Sequence, residues 1–196
     1  MPNDNRPSPD ALLRAAQREA PGKPRIFLGA APGDGKTFEM LREGAERLKA
    51  GTDIVVAVVE THGRAETAAL LDPFEVIPRR TIDYQGHALP EMDLDAILVR
   101  RPALALVDEF AHTNVEGSRH PKRWQDVTEL LDAGIDVYTT LNVQHVESLN
   151  DVVASFTKVR VRETVPDSVF EGAEIEVGDL PPDELMERLK DGKGYF

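Results

Sequence analysis

Ala30-Ala-Pro-Gly-Asp-Gly-Lys-Thr37 follows a short apolar run, Arg25-Ile-Phe-Leu28, and precedes an amphipathic stretch. Strand, glycine-rich turn and helix in that order are the context a phosphate-binding loop requires. Glycines let the backbone curl until consecutive N–H groups point at one anion, and the following helix turns its positive end toward it. In this reading Gly29, Ala30, Ala31, Pro32, Gly33, Asp34 and Gly35 wrap the phosphates, Lys36 reaches the β and γ groups, and Thr37 holds Mg²⁺. The general pattern opens with Gly where this chain has Ala30, with Gly29 one place ahead. The expected helix carries Phe38, Leu41, Ala45 and Leu48 at spacings of three and four, one apolar stripe, and Gly51 stops it.

Outward from the loop, short β-branched runs alternate with helical stretches. That alternation predicts an α/β fold, a three-layer sandwich with a mostly parallel sheet of the P-loop NTPase-like kind. The expected strands are Arg25–Leu28, Asp53–Val59, Ala103–Val107, Asp136–Thr140 and Val159–Arg162. Several are continuous apolar runs, as strands covered on both faces should be. Phe74–Tyr84 reads as a small extra strand or hairpin, after which Gln85-Gly86-His87 turns away. Residues 1–22 read as a flexible lead-in with a short helix over Ala11–Ala20, and residues 23–193 as one nucleotide-binding domain that stops without a clear finish after a helix from Pro182 to Lys190.

A second half of a nucleotide site is legible. Ala103-Leu-Ala-Leu-Val-Asp108-Glu109 is a buried strand ending in two acids, which suits Asp108 to Mg²⁺ and Glu109 either to orienting a water or to pairing with a neighbour. The segment from Ala111 to Trp124 collects positive charge: Arg119, Lys122 and Arg123 are candidates for the γ-phosphate, with Arg119 as a charge stabiliser in catalysis, and a solvated basic loop is the plain alternative. Asn142 or Gln144, in Thr139-Thr-Leu-Asn-Val-Gln-His145, can sense the γ-phosphate; Asn142 can equally cap a following helix. Glu60-Thr-His-Gly-Arg64 closes another strand at the end where open α/β sheets bind ligands, or is simply a turn. The five histidines lack metal-ligand spacing and read as loop hydrogen-bonders. Trp124 is expected to pack its helix on the sheet.

Composition excludes several classes. A formal charge of −12 over 196 residues argues against general nucleic-acid binding, which needs clustered Lys and Arg. No cysteine is present, so disulfides and thiolate chemistry are ruled out. The longest apolar run, Ile54–Val59, is far short of a membrane span, and Met1–Asp10 lacks the pattern of a secretion signal, so no membrane contact is expected of this segment.

Five stretches together resemble one family. They are Phe27-Leu-Gly-Ala-Ala-Pro-Gly-Asp-Gly-Lys-Thr37, Val59-Glu-Thr-His-Gly-Arg-Ala-Glu-Thr67, Asp108-Glu-Phe-Ala-His-Thr-Asn114, Gly117-Ser-Arg-His-Pro-Lys-Arg-Trp-Gln-Asp126 and Gly134-Ile-Asp-Val-Tyr-Thr-Thr-Leu-Asn-Val-Gln-His145. From about Pro7 to Lys193 the chain resembles the N-terminal cytoplasmic domain of the potassium-responsive sensor histidine kinases. There Ala30 is the usual residue, whereas Asp34 and Phe110 replace a small apolar residue and Leu. The resemblance implies a domain that binds ATP with Mg²⁺ in the cytoplasm and modulates a membrane-anchored two-component kinase controlling potassium uptake. Its partners would be downstream domains of the same kinase and its response regulator; the kinase's own catalytic parts do not fit in this chain. Two alternatives stand beside it: a self-contained ATPase or phosphotransferase using Glu109 and Arg119, and a nucleotide-free interaction platform, for which Asp34 beside the phosphates is the support.

Overall fold

The computed structural model describes residues 8–10, 12–13, 20–29, 35–150, 155 and 162–178. Its elements run β1 (Pro24–Gly29), α1 (Lys36–Lys49), β2 (Ile54–Val58), α2 (Ala65–Ala69), β3 (Glu75–Val76), β4 (Arg80–Tyr84), β5 (His87–Glu91), α3 (Leu94–Arg100), β6 (Leu104–Val107), α4 (Arg123–Asp132), β7 (Asp136–Asn142) and β8 (Glu174–Val177). Six strands form one sheet in the order β3-β2-β6-β7-β1-β8. All its neighbouring pairs are parallel.

The two-residue period of a strand sorts the sheet's side chains onto two faces. Ile26, Val55, Ala57, Ala105, Val107 and Val137 join one core; Phe27, Ile54, Val56, Leu104, Leu106 and Tyr138 join the other. α1 covers the second core with Met40 and Leu41, both fully buried. Burial of each contributes about 1.5–3 kcal/mol. Gly44 lets the helix backbone approach β6, since a Cβ there would stand 3.0 Å from a Leu106 methyl. On the other face α3 and α4 bring Leu94, Ile97, Val127 and Leu130 into the first core, with Trp124 partly buried against it. Helix, sheet and helix make the expected three layers.

Several expectations shift. The buried side of α1 centres on Met40, Leu41 and Gly44, which leaves Phe38, expected in the apolar stripe, 38% exposed at the helix start. Gln85 and Gly86 do not lead the chain away: both sit at positive φ, 49° and 81°, and close a two-residue hairpin of β4 and β5 in register Tyr84 to His87. That backbone twist matches the twist of paired strands. β3 adds a separate two-residue edge to the sheet, and β8, unforeseen, extends it beyond β1. The sequence places a helix over Gln125–Ala133, and the helix observed there runs Arg123–Asp132, two residues earlier at its start. Residues 159–161 of the fifth expected strand, the 182–190 helix and most of the 11–20 helix lie outside the described residues. Among the described residues no helix is long and apolar enough to cross a membrane.

Candidate functional site

β1, β2, β6 and β7 all deliver their C-terminal ends to one edge of the sheet, where a cleft of about 540 Å³ opens. Gly29 ends β1 directly beside Asn142 of β7. Residues Ala30–Asp34 lie outside the described residues. The chain re-emerges at Gly35, whose φ of 90° suits glycine, and α1 starts with Lys36 and Thr37 on the cleft wall.

Asp108 forms the floor, 1% exposed, just past the end of β6. Its carboxylate accepts from Thr37 Oγ1 at 3.1 and 3.2 Å, one contact to each oxygen. It also accepts from Thr140 Oγ1 at 2.5 Å, from Glu60 N at 3.0 Å and from Glu109 N at 3.2 Å. One side chain therefore joins the start of α1 to the ends of β2, β6 and β7. A carboxylate buried this deeply needs such donors, because desolvation alone would be costly. Thr37 and Asp108 are both hard oxygen donors in contact with one another, a pairing that fits Mg²⁺.

Glu109 stands beside the floor at a φ of 56°, its amide held by Thr140 Oγ1 at 3.0 Å. Its carboxylate is 39% exposed and lies 3.2 Å from His62 Nε2. Asn142 lines the cleft; its Oδ1 is buried without a hydrogen-bond partner among the described residues, and it makes no cap to the short 3-10 turn that follows. Gln144 sits in that turn, 4% exposed and off the cleft lining. The cleft thus takes Asn142 and not Gln144, because the chain leaves the strand's alternation after Asn142.

The basic segment behaves differently from its sequence expectation. Arg123 is 2% exposed; its Nη1 donates to the Asp108 main-chain oxygen at 3.1 Å and its Nη2 approaches Glu91 at 3.4 Å. It is a buried anchor rather than a phosphate ligand. Burial lowers its pKa from the ordinary arginine value, against the pull of Glu91, Glu109 and Asp108. Lys122 Nζ donates to Thr113 Oγ1 at 2.6 Å, and Arg119 pairs with Asp95 and Glu129. None of the three lines the cleft.

Sequence reasoning missed the residue that organises this segment. Glu91, at the end of β5 and 4% exposed, meets His112 Nε2 at 2.9 Å, Val115 N at 2.8 Å and the Arg123 guanidinium. Burial works to raise its carboxyl, but the bonds from His112 and Val115 and the charges of His112 and Arg123 outweigh it and hold it below the ordinary value. No pattern in the run His87-Ala-Leu-Pro-Glu91 flags it. Thr140 was equally silent, although two adjacent threonines, both buried, in an otherwise apolar strand invite the question of what their hydroxyls bind. His112 and His145 form hydrogen bonds, to the Glu91 carboxylate and, through Nδ1, to the Glu163 main-chain oxygen, while His62 and His120 stand 3.2 and 3.5 Å from Glu109 and Glu129.

Comparison with known proteins gives the chain's family. Residues 20–196 match the family model KdpD, described as the osmosensitive K+ channel His kinase sensor domain. The chain is 58% identical over 193 residues to Sensor protein KdpD of Escherichia coli, an alignment covering 97% of this chain and 22% of that protein. It is 51% identical over 198 residues to Sensor protein KdpD of Clostridium acetobutylicum, covering 98% and 22%. With a Putative sensor protein KdpD of Synechocystis the identity is 53% over 175 residues, 89% of this chain and 47% of that one. The chain spans about a fifth of the length of the first two relatives. On a family match across most of its length and identities above one half, the chain belongs to the KdpD family and is a sensor domain of that kind.

Proposed function

We propose that the chain is an ATP-binding regulatory domain of P-loop NTPase type, part of an osmosensitive potassium-sensing histidine kinase in a two-component system that controls potassium uptake. The observation that carries this is the Thr37–Asp108 contact on the floor of a cleft lined by Gly35 and Lys36. Gly29 to Gly35, Pro32 aside, supply backbone N–H groups to the phosphates, Lys36 their counter-charge, and Asn142 its side-chain amide beside them. Thr37 and Asp108 hold Mg²⁺, which when bound neutralises phosphate charge. Asp108 also gives its main-chain oxygen to Arg123, so a ligand that draws on its side chain acts on the residue that anchors the 111–123 loop. Through that loop the occupancy of the site reaches the other domains of a membrane-anchored kinase, and from there its response regulator; this part lies in the cytoplasm.

Titration calorimetry with Mg-ATP tests the reading. Lys36→Ala should lose the charge-assisted contact, roughly 1.5–3 kcal/mol, or about ten- to a hundredfold in affinity. Equal affinity in wild type and variant would refute it, and no affinity in either would favour the interaction-platform alternative. A second reading, slow ATP hydrolysis or phosphoryl transfer, is favoured by Glu109, whose partly open carboxylate adjoins Asp108 on the cleft wall. Phosphate release that disappears in Glu109→Gln while ATP still binds would support it.

A further inference from the structure

Among the described residues the cleft carries four carboxylates, and each is already engaged. Glu60 pairs with Arg79 at 2.8 Å, Glu109 with His62, and Glu163 accepts from Thr113 N and Oγ1. Asp108 is saturated by hydroxyls and amides. Arg64 lines the same cleft, is exposed, and has no hydrogen bond or ion pair from its side chain among the described residues. An arginine that leaves neighbouring acids to other partners, in a chain of net charge −12, is an available cation.

Its backbone is nevertheless fixed. Arg64 N donates to Thr61 O at 2.9 Å, and His62 and Gly63 hold the turn at φ of 48° and 72°. α2 begins at once, with Thr67 buried on the cleft wall. The sheet order adds direction. Lys36 follows β1 and Arg64 follows β2, while β6, which leads into Asp108, and β7 lie between those strands. A polyphosphate that starts at Lys36, at the head of α1, and crosses Asp108 runs toward Arg64.

Resting on the nucleotide reading above, we propose that Arg64 is a further phosphate-binding residue, the guanidinium that grips the terminal phosphate of a nucleoside triphosphate. A planar fork of N–H donors suits two phosphate oxygens at once, which an ammonium cannot match. The arginine that the charged 111–123 segment advertises is thus supplied from a different strand end.

The test is calorimetry of this chain with Mg-ATP and Mg-ADP, using wild type, Arg64→Gln, Arg64→Lys and Arg119→Gln, with melting of each unliganded protein as the folding control. Arg64→Gln should melt as wild type does, weaken Mg-ATP about tenfold or more, and weaken Mg-ADP far less. Arg64→Lys should recover part of the loss. Wild-type affinities in Arg64→Gln, an equal loss of both nucleotides, or a loss in Arg119→Gln alone would each overturn the assignment. A wild type that binds no Mg-ATP would instead overturn the nucleotide reading on which it rests.

Discussion

Two segments that follow neighbouring strands, 111–123 after β6 and Glu60–Arg64 after β2, have opposite fates. The 111–123 segment is rich in charge, yet Arg119, Lys122 and Arg123 are all satisfied by protein groups. The Glu60–Arg64 turn is short and carries fewer charges, yet it puts on the cleft a guanidinium with no side-chain partner among the described residues. Counting cations along a sequence measures how many there are, not how many are available. Availability depends on which acids the fold brings near, and here Glu91, Asp95 and Glu129 come from β5, α3 and α4 to claim the first segment.

The comparison is broken most directly at Glu91. Removing one partner of a buried ion pair strands the other charge, so Glu91→Ala should cost about 3–5 kcal/mol in denaturant unfolding, followed by Trp124 fluorescence. A cost below about 1 kcal/mol would show that the 111–123 segment is not held from the hairpin. The companion measurement is pH dependence. The folded-state carboxyl of Glu91 lies below its ordinary value of 4.5, so its stabilisation is full above that value and is lost as pH falls through the depressed one. Asp126 works in the other direction: burial raises its carboxyl against the bond from Asn114 and the charges of His120 and Arg123. Its contribution is present in acid and lost as pH rises. Comparing wild type with Glu91→Gln from pH 7 to pH 3 isolates the first: the wild type should lose more stability than the variant over the acid end. Parallel curves would place Glu91 outside the acid response.

The same contrast explains what was legible in the sequence. Strands β2 and β6 could be read because strands covered on both faces are continuous apolar runs, and residues such as Val55 and Leu106 have no polar alternative to burial. The loop, Thr37 and Asp108 could be read because their residue types and order are dictated by local chemistry. Glu91 and Thr140 could not, since each owes its position to contacts with residues far along the chain, such as Thr140 to Asp108 at a separation of 32. β8 escaped for a related reason: all four of its residues are exposed, so burial left no pattern, and its pairing is supported by Arg25 reaching Glu174 and Glu176 at 2.9 Å each. Phe38 shows the converse, an apolar residue in helical register that opens onto the cleft rather than the core.

The smallest expected effect lies at Arg119, and it sharpens the contrast inside the basic segment itself. Arg119 is paired like Arg123, but its side chain is 42% exposed, and its partners Asp95 and Glu129 are 59% and 33% exposed. Water already solvates these groups, so their attraction is offset by the entropy of holding long side chains in place. A double-mutant cycle of Arg119→Gln with Glu129→Gln should give a coupling of about 0–1 kcal/mol, shrinking further in about 1 M salt, where charges more than about 3 Å apart are screened. Arg123, walled off behind Glu91, should show no such sensitivity in the matching cycle with Glu91→Gln. A coupling above about 2 kcal/mol at Arg119 would mean that the whole segment is clamped as rigidly as its buried end, and that its exposed arginine is as firmly committed to the protein as the buried one.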